Sequence, residues 1–144
     1  MIDGRRRFPA EWEPHSGCVV LYPHNRNTFH LEEARAQVWQ VIRAIIEDGE
    51  ESVLLFCKDE VAVEEAKKAA PETVRDNKLL SFHVCDSDDS WARDSAPSFV
   101  LGKGSRTLVG LDWNFNAYGG PEDGSYWPCE EDKLVAGAVI RQDG

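Results

Sequence analysis

Ser52-Val-Leu-Leu-Phe-Cys57 runs six residues without a charge in a chain where 29% of residues carry one. A short continuous apolar run of this kind predicts a strand buried on both faces. Just before it, Leu31, Ala34, Val38, Val41, Ile42 and Ile45 recur at three- and four-residue steps, while Glu32, Glu33, Arg35, Gln37 and Arg43 take the other side. That spacing predicts an amphipathic helix starting near Thr28 and stopped by Gly49. Outward toward the N-terminus, Gly17-Cys-Val-Val-Leu-Tyr22, closed by Pro23, reads as another buried strand. Toward the C-terminus, Glu60 to Lys68 reads as a second helix ended by Pro71, and Leu79 to Val84 as a third strand that runs into Asp86-Ser-Asp-Asp-Ser90. Ser98 to Leu101 and Thr107 to Leu111 flank Gly102-Lys-Gly-Ser-Arg106, the outline of an antiparallel hairpin. Asn114 to Pro128 reads as a long ordered loop, because Phe115, Tyr118, Tyr126 and Trp127 need something to pack on, and Glu130 to Ile140 begins another helix. The order of elements predicts a single α/β domain whose sheet mixes parallel and antiparallel pairs.

The formal net charge of −10 argues against nucleic acid or an anionic membrane as partner and favours a small cation, although many acidic proteins use such charge only for solubility. Arg5, Arg6 and Arg7 are followed by Phe8-Pro-Ala-Glu-Trp12, with no apolar stretch of leader or membrane-spanning length, so a cytoplasmic protein is expected. Cys18, Cys57, Cys85 and Cys129 form no C-x-x-C pair and read as reduced structural thiols. His15, His24, His30 and His83 read as isolated, satisfied side chains rather than zinc ligands.

Asp86, Asp88, Asp89 and Asp94 crowd into nine residues, and their mutual repulsion calls for a cation: Arg93, a metal ion or a substrate. The plainer reading is a solvated acidic loop whose side chains cap turns. The twelve-residue calcium pattern fails, since no glycine sits at the turn and no glutamate at the end. Trp91 favours a ligand. Its flat face suits a planar cation such as guanidinium, and Asp94 at W-x-x-D spacing can accept two parallel N–H bonds from it. Arg93 competes as an internal occupant. Cys85 precedes the loop, but nearby carboxylates would suppress its thiolate, so it reads as a buried strand-end thiol. His83 alternates away from Phe82, toward the face on which the loop would sit.

Pro9-Ala-Glu-Trp-Glu-Pro-His-Ser-Gly17 with Tyr22-Pro23, then Asp89-Ser-Trp-Ala-Arg-Asp-Ser-Ala-Pro97, then Asp112-Trp-Asn-Phe-Asn-Ala-Tyr-Gly-Gly120 occur in this order. Together they resemble the agmatine deiminase and bacterial-type peptidylarginine deiminase family over nearly the whole chain. The resemblance implies a pentein fold, a fan of five pseudo-symmetric αβ modules (an α/β propeller), of which residues 1–144 would supply about the first two as the N-terminal part of one truncated domain. It implies hydrolysis of the guanidinium of agmatine to N-carbamoylputrescine and ammonia, in putrescine biosynthesis, with no metal or other cofactor. A cysteine thiolate attacks the guanidinium carbon, a histidine activates the resolving water, and paired aspartates hold the nitrogens. Carried onto this chain, Asp94 is the catalytic aspartate and Trp91 lies against the substrate. Arg93 and Asp88 stand beside them, and Trp113, Asn116, Gly119 and Gly120 shape the pocket. The family's H-x-D motif and late cysteine do not occur here, so the fragment alone is expected to be inactive, with agmatine and a homo-oligomer of the full-length protein as the partners implied. Ser95-Ala96 stands where a Thr/Tyr-Gly pair is more usual. Peptidylarginine deiminase is the close alternative. A non-catalytic module that binds a guanidinium, an amine or a protein through the acidic loop is the reading from another class.

Overall fold

The computed structural model describes residues 6–102 and 107–143. From the N-terminus come β1 (Arg6–Arg7), β2 (Gly17–Leu21), α1 (Leu31–Glu47), β3 (Ser52–Cys57), α2 (Glu60–Ala69), α3 (Glu72–Arg75) and β4 (Leu80–Val84). Then follow α4 (Ala92–Ser95), β5 (Ser98–Gly102), β6 (Leu108–Leu111), α5 (Gly120–Asp123) and α6 (Asp132–Ile140), with a last 3₁₀ turn at Arg141–Asp143.

The uncharged run is the middle strand of a parallel sheet ordered β2-β3-β4, with Val53 paired to Cys18 on one side and Leu80 on the other. Its side chains alternate between two cores. Val53, Leu55 and Cys57 join Trp39, Ile42 and Ile46 of α1 and Val63 and Ala66 of α2. Phe56 turns to the opposite face, where Leu21, Cys85 and Val135, Ala138 and Val139 of α6 pack, with Leu54 and Phe99 at the margin. Both faces of β3 meet apolar side chains, though Leu54 stays only partly buried, which is why no alternating polar pattern is seen there. Each such large side chain contributes about 1.5–3 kcal/mol through burial.

The structure corrects several expectations. Parallel and antiparallel pairs lie in separate sheets rather than one, because β5 and β6 pair with β1 in a second three-stranded sheet ordered β1-β5-β6. Phe99 of that sheet packs on the core beside Leu21 and Phe56 of the first, and Gly110 packs on α6, where an added Cβ would lie 2.5 Å from Ile140. The tip of the expected hairpin, residues 103–106, lies outside the described residues. β2 is an edge strand, half-buried until Leu21. α1 starts at Leu31, and its buried stripe runs through Trp39, Ile42 and Ile46, which leaves Val41 55% exposed. α2 is capped by Asp59, whose carboxylate accepts from Ala62 N at 2.7 Å. Among the described residues no helix is long and apolar enough to cross a membrane.

Candidate functional site

At the end of β4 the Cys85 N–H still donates to Cys57 O at 2.9 Å, and then the chain leaves the sheet. The acidic loop thus sits at the carboxyl ends of parallel strands, where open α/β sheets hold their ligands. Two of its carboxylates are tied into the fold by a reciprocal exchange with the N-terminus of α6. Asp88 Oδ2 accepts from Glu131 N at 3.0 Å and Asp132 N at 3.1 Å, while Asp132 Oδ1 accepts from Asp88 N at 2.9 Å and Asp89 N at 3.3 Å. A carboxylate on free helix N–H groups also meets the positive end of the helix dipole. Tyr126 donates its hydroxyl to Asp132 Oδ2. Burial raises the Asp132 pKa, and these hydrogen bonds oppose that rise.

The Tyr22 to Phe29 segment, leaving the end of β2, braces the same loop. Ser90 Oγ donates to Tyr22 O at 3.2 Å, Asn25 Nδ2 to Asp88 O at 3.3 Å, and Thr28 Oγ1 to Asp89 Oδ2 at 2.6 Å. His24 Nε2 lies 2.9 Å from Ser87 O. Asp89 is 3% exposed and takes its other hydrogen bond from Ser90 N at 2.8 Å.

Trp91 opens α4 with its ring 5.5 Å from that of Phe29, and it stays 42% exposed. Phe29 packs on the indole at a tilt of 40°, and the exposed part of the ring is left to receive a planar cation. One turn of α4 carries the chain from Trp91 to Asp94, with Asp94 N donating to Trp91 O at 3.0 Å. Ser95, at the unusual position before the proline, is buried and donates Oγ to Trp91 O at 3.1 Å, closing that turn.

Near Asp94 lies the phenol of Tyr118, pushed up to about 12 by burial, with the neighbouring Asp94 carboxylate and the charges of Asp132 and Asp89 adding to the shift. Ala117 and Tyr118 have φ of 52° and 69°, a left-handed pair that non-glycine residues rarely adopt. The turn is closed by Gly119 N and Gly120 N on Asn116 O at 3.3 and 2.7 Å, and by the burial of Ala117 with Phe115 and Cys129. Gly120 has φ +72°, which suits glycine. Asn116, Gly119 and Gly120 therefore build the turn that presents Tyr118. Trp113 is 58% exposed, and its Nε1 donates to Ser98 Oγ at 2.9 Å, just beyond α4.

Among the described residues none of Asp88, Asp89, Asp94 and Asp132 pairs with a lysine, arginine or histidine. Arg93, expected to fill this role or to touch substrate, instead points to the N-terminal loop and pairs with Glu11, both largely exposed. The reason is helical direction: on the single turn of α4, adjacent residues project to different sides. Lys58 lies 3.9 Å from Asp86, with both side chains about half exposed. His83 turns away from Phe82, as its alternation predicts, onto the face packed by α6, where it stacks on Phe56 at 5.0 Å with Nε2 2.8 Å from Ser81 Oγ. The thiols of Cys18, Cys57, Cys85 and Cys129 are all pushed up, burial being the largest cause in each, so none is an activated nucleophile. His15, expected to be isolated, lies with Cys18 and Glu51 at the other end of the sheet.

Sequence reading missed Asp132, Tyr118, Tyr126, Thr28 and Phe29 as parts of this site. Tyr118 could have been found in the quoted Asp112 to Gly120 segment. Asp132 carried no signal beyond its place in an acidic first turn, because the loop N–H groups it accepts from, on Asp88 and Asp89, are more than 40 residues away.

A family model described as Porphyromonas-type peptidyl-arginine deiminase matches residues 7–144. The agmatine deiminase of Ectopseudomonas mendocina is 31% identical over 139 residues, covering 95% of this chain and 35% of that protein. The agmatine deiminase of Medicago truncatula is 32% identical over 141 residues, covering 92% and 36%. Among solved structures, the agmatine deiminase of Enterococcus faecalis matches with a TM-score of 0.82 at 24% identity, over 96% of this chain and 36% of that one. At that identity the likeness is one of fold. The chain spans about a third of the length of the curated relatives it matches.

Proposed function

The chain belongs to the Porphyromonas-type peptidyl-arginine deiminase family, and from that premise we propose that the whole protein hydrolyses the guanidinium of agmatine to N-carbamoylputrescine and ammonia, feeding putrescine synthesis, with these residues forming one wall of the substrate site. The observation that carries the proposal is the convergence of Asp88, Asp89, Asp94 and Asp132 with no protein cation paired to them among the described residues, beside a half-exposed tryptophan face. Such a field favours a cation of planar shape. In this reading Asp94 accepts two guanidinium N–H bonds, Trp91 lies along the plane of the group, and Tyr118 holds Asp94 in place. Asp88 acts through the loop, by fixing it to α6. Arg93 is left out, because its guanidinium is engaged with Glu11.

The bond-breaking groups are assigned elsewhere in the whole protein. The attack requires a thiolate, and every cysteine here is a protonated thiol raised by burial. The proposal also carries a pentein fan, in which the β2-β3-β4 sheet and the β1-β5-β6 sheet belong to the first two modules. The fold likeness to the Enterococcus enzyme over 96% of this chain supports that placing. The test is ammonia release by the whole protein from agmatine, free arginine and an arginine-containing peptide. Agmatine alone should be turned over at an appreciable rate. Preference for the peptide would move the assignment to peptidylarginine, and release from none of the three would leave the binding-module reading.

A further inference from the structure

At the amino ends of the same strands, His15, Cys18 and Glu51 bring one ligand atom each to within 4.8 Å of one another. His15 Nε2 is 2.7 Å from Glu51 Oε2, Cys18 Sγ is 3.8 Å from His15 Nε2, and Cys18 Sγ is 3.7 Å from Glu51 Oε2. We propose that these three side chains form a binding site for a divalent, zinc-like metal ion, separate from the guanidinium site.

Three features support it. The first is the histidine's tautomer. His15 Nδ1 lies 3.1 Å from the carbonyl oxygen of Glu13, which can only accept, so Nδ1 carries a proton. That backbone contact is the outer partner that metal-binding histidines use to aim the other nitrogen. Nε2 then faces a carboxylate oxygen at 2.7 Å, a hydrogen-bond separation held by a proton whose place a metal ion would take once the contact opens. The second is the sulfur. A simple histidine–glutamate pair has no use for a thiol, yet Cys18 stands at nearly equal distance from both partners. A tetrahedral ion with ordinary zinc bond lengths holds sulfur about 3.6 Å from nitrogen or oxygen, and nitrogen about 3.4 Å from oxygen. The two sulfur edges are already within about 0.2 Å of this, and the third needs the Nε2–Oε2 contact to open by about 0.7 Å, within reach of a rotamer adjustment by two partly exposed side chains. The third is the backbone. Gly17 pairs with Ser52, and Ser52 N donates to Ser16 O at 3.2 Å, so the strand starts that carry Cys18 and Glu51 are fixed side by side. Cys18 precedes Tyr22 by four strand residues, which separates this cluster from the acidic loop by roughly 13 Å.

Binding releases the Cys18 thiol proton, and any proton shared by His15 and Glu51, to water; three protein ligands leave a fourth position for a water molecule. The experiment is a titration of the purified protein with Co²⁺, followed by displacement with Zn²⁺, read by absorption. One equivalent of Co²⁺ should produce a thiolate-to-cobalt band in the near ultraviolet and tetrahedral visible bands, both removed by Zn²⁺. Cys18→Ser should remove the near-ultraviolet band, and His15→Gln and Glu51→Gln should each weaken uptake by about ten-fold or more. Circular dichroism of each variant separates loss of the site from loss of the fold. Absence of the band in the wild-type protein would overturn the proposal and leave a protonated His15–Glu51 pair. A band that survives in Cys18→Ser would overturn it too, by placing the sulfur elsewhere.

Discussion

Removing the Asp132 carboxylate should loosen the acidic loop more than removing any exposed acid on it. Asp132 is 2% exposed and accepts from Asp88 N, Asp89 N and the Tyr126 hydroxyl. Asp132→Ala leaves two backbone N–H groups and a phenol without an acceptor, at about 1–3 kcal/mol for each that stays buried. Tyr126 can turn to solvent and the buried charge is relieved, so the net loss is about 2–4 kcal/mol. With a urea slope of about 2 kcal/mol per molar, the midpoint falls by roughly 1–2 M. Asp132→Asn keeps the volume and an oxygen for both N–H groups, and should fall by about half a molar or less. The two variants also separate with pH. Burial raises the Asp132 pKa above that of the unfolded chain, so its proton-linked stability is fully present below about pH 4 and is lost as pH rises through the folded value. Wild type should therefore lose ground against Asp132→Asn as the pH is raised through that window. Urea unfolding of the three proteins at pH 7 and at pH 4.5 measures both effects. An Asp132→Ala midpoint equal to that of wild type would refute the bracing role.

Two further substitutions separate the site's parts. Tyr118→Phe removes the phenol beside Asp94 but keeps the packing with Phe115, so KM for agmatine should rise about 3- to 10-fold with the melting temperature unchanged; an unchanged KM would remove Tyr118 from the site. Arg93→Ala breaks only an exposed pair with Glu11, and both KM and melting temperature should stay at wild-type values, whereas a large rise in KM would return Arg93 to the substrate.

The parallel sheet was legible in the sequence because burial on both faces leaves a run such as Ser52 to Cys57 without polar residues, and α1 was legible because its period is 3.6. Its phase was harder to read. Trp39 was overlooked on the buried stripe and Val41 was included, since a helix that packs on one sheet face at an angle selects only part of its apolar surface. The separation into two sheets could not be read, because β1 is only two residues long and its pairing with β5 spans more than 90 residues. At the site, Trp91 and Asp94 stood out through local spacing. The use of Asp88 on the helix N-terminus did not, since it depends on α6 arriving from 43 residues downstream. The same holds for His15, Cys18 and Glu51, which only strand pairing brings together.

The most direct test of the account is the steady-state rate of ammonia release from agmatine by the whole protein, wild type against Asp94→Asn. The substitution preserves size and replaces one acceptor oxygen and the charge, so wild type should turn over agmatine while the variant loses about a hundred-fold or more in kcat/KM, with its melting temperature unchanged. Wild-type kcat/KM in a folded Asp94→Asn variant would contradict the assignment of Asp94 to the guanidinium.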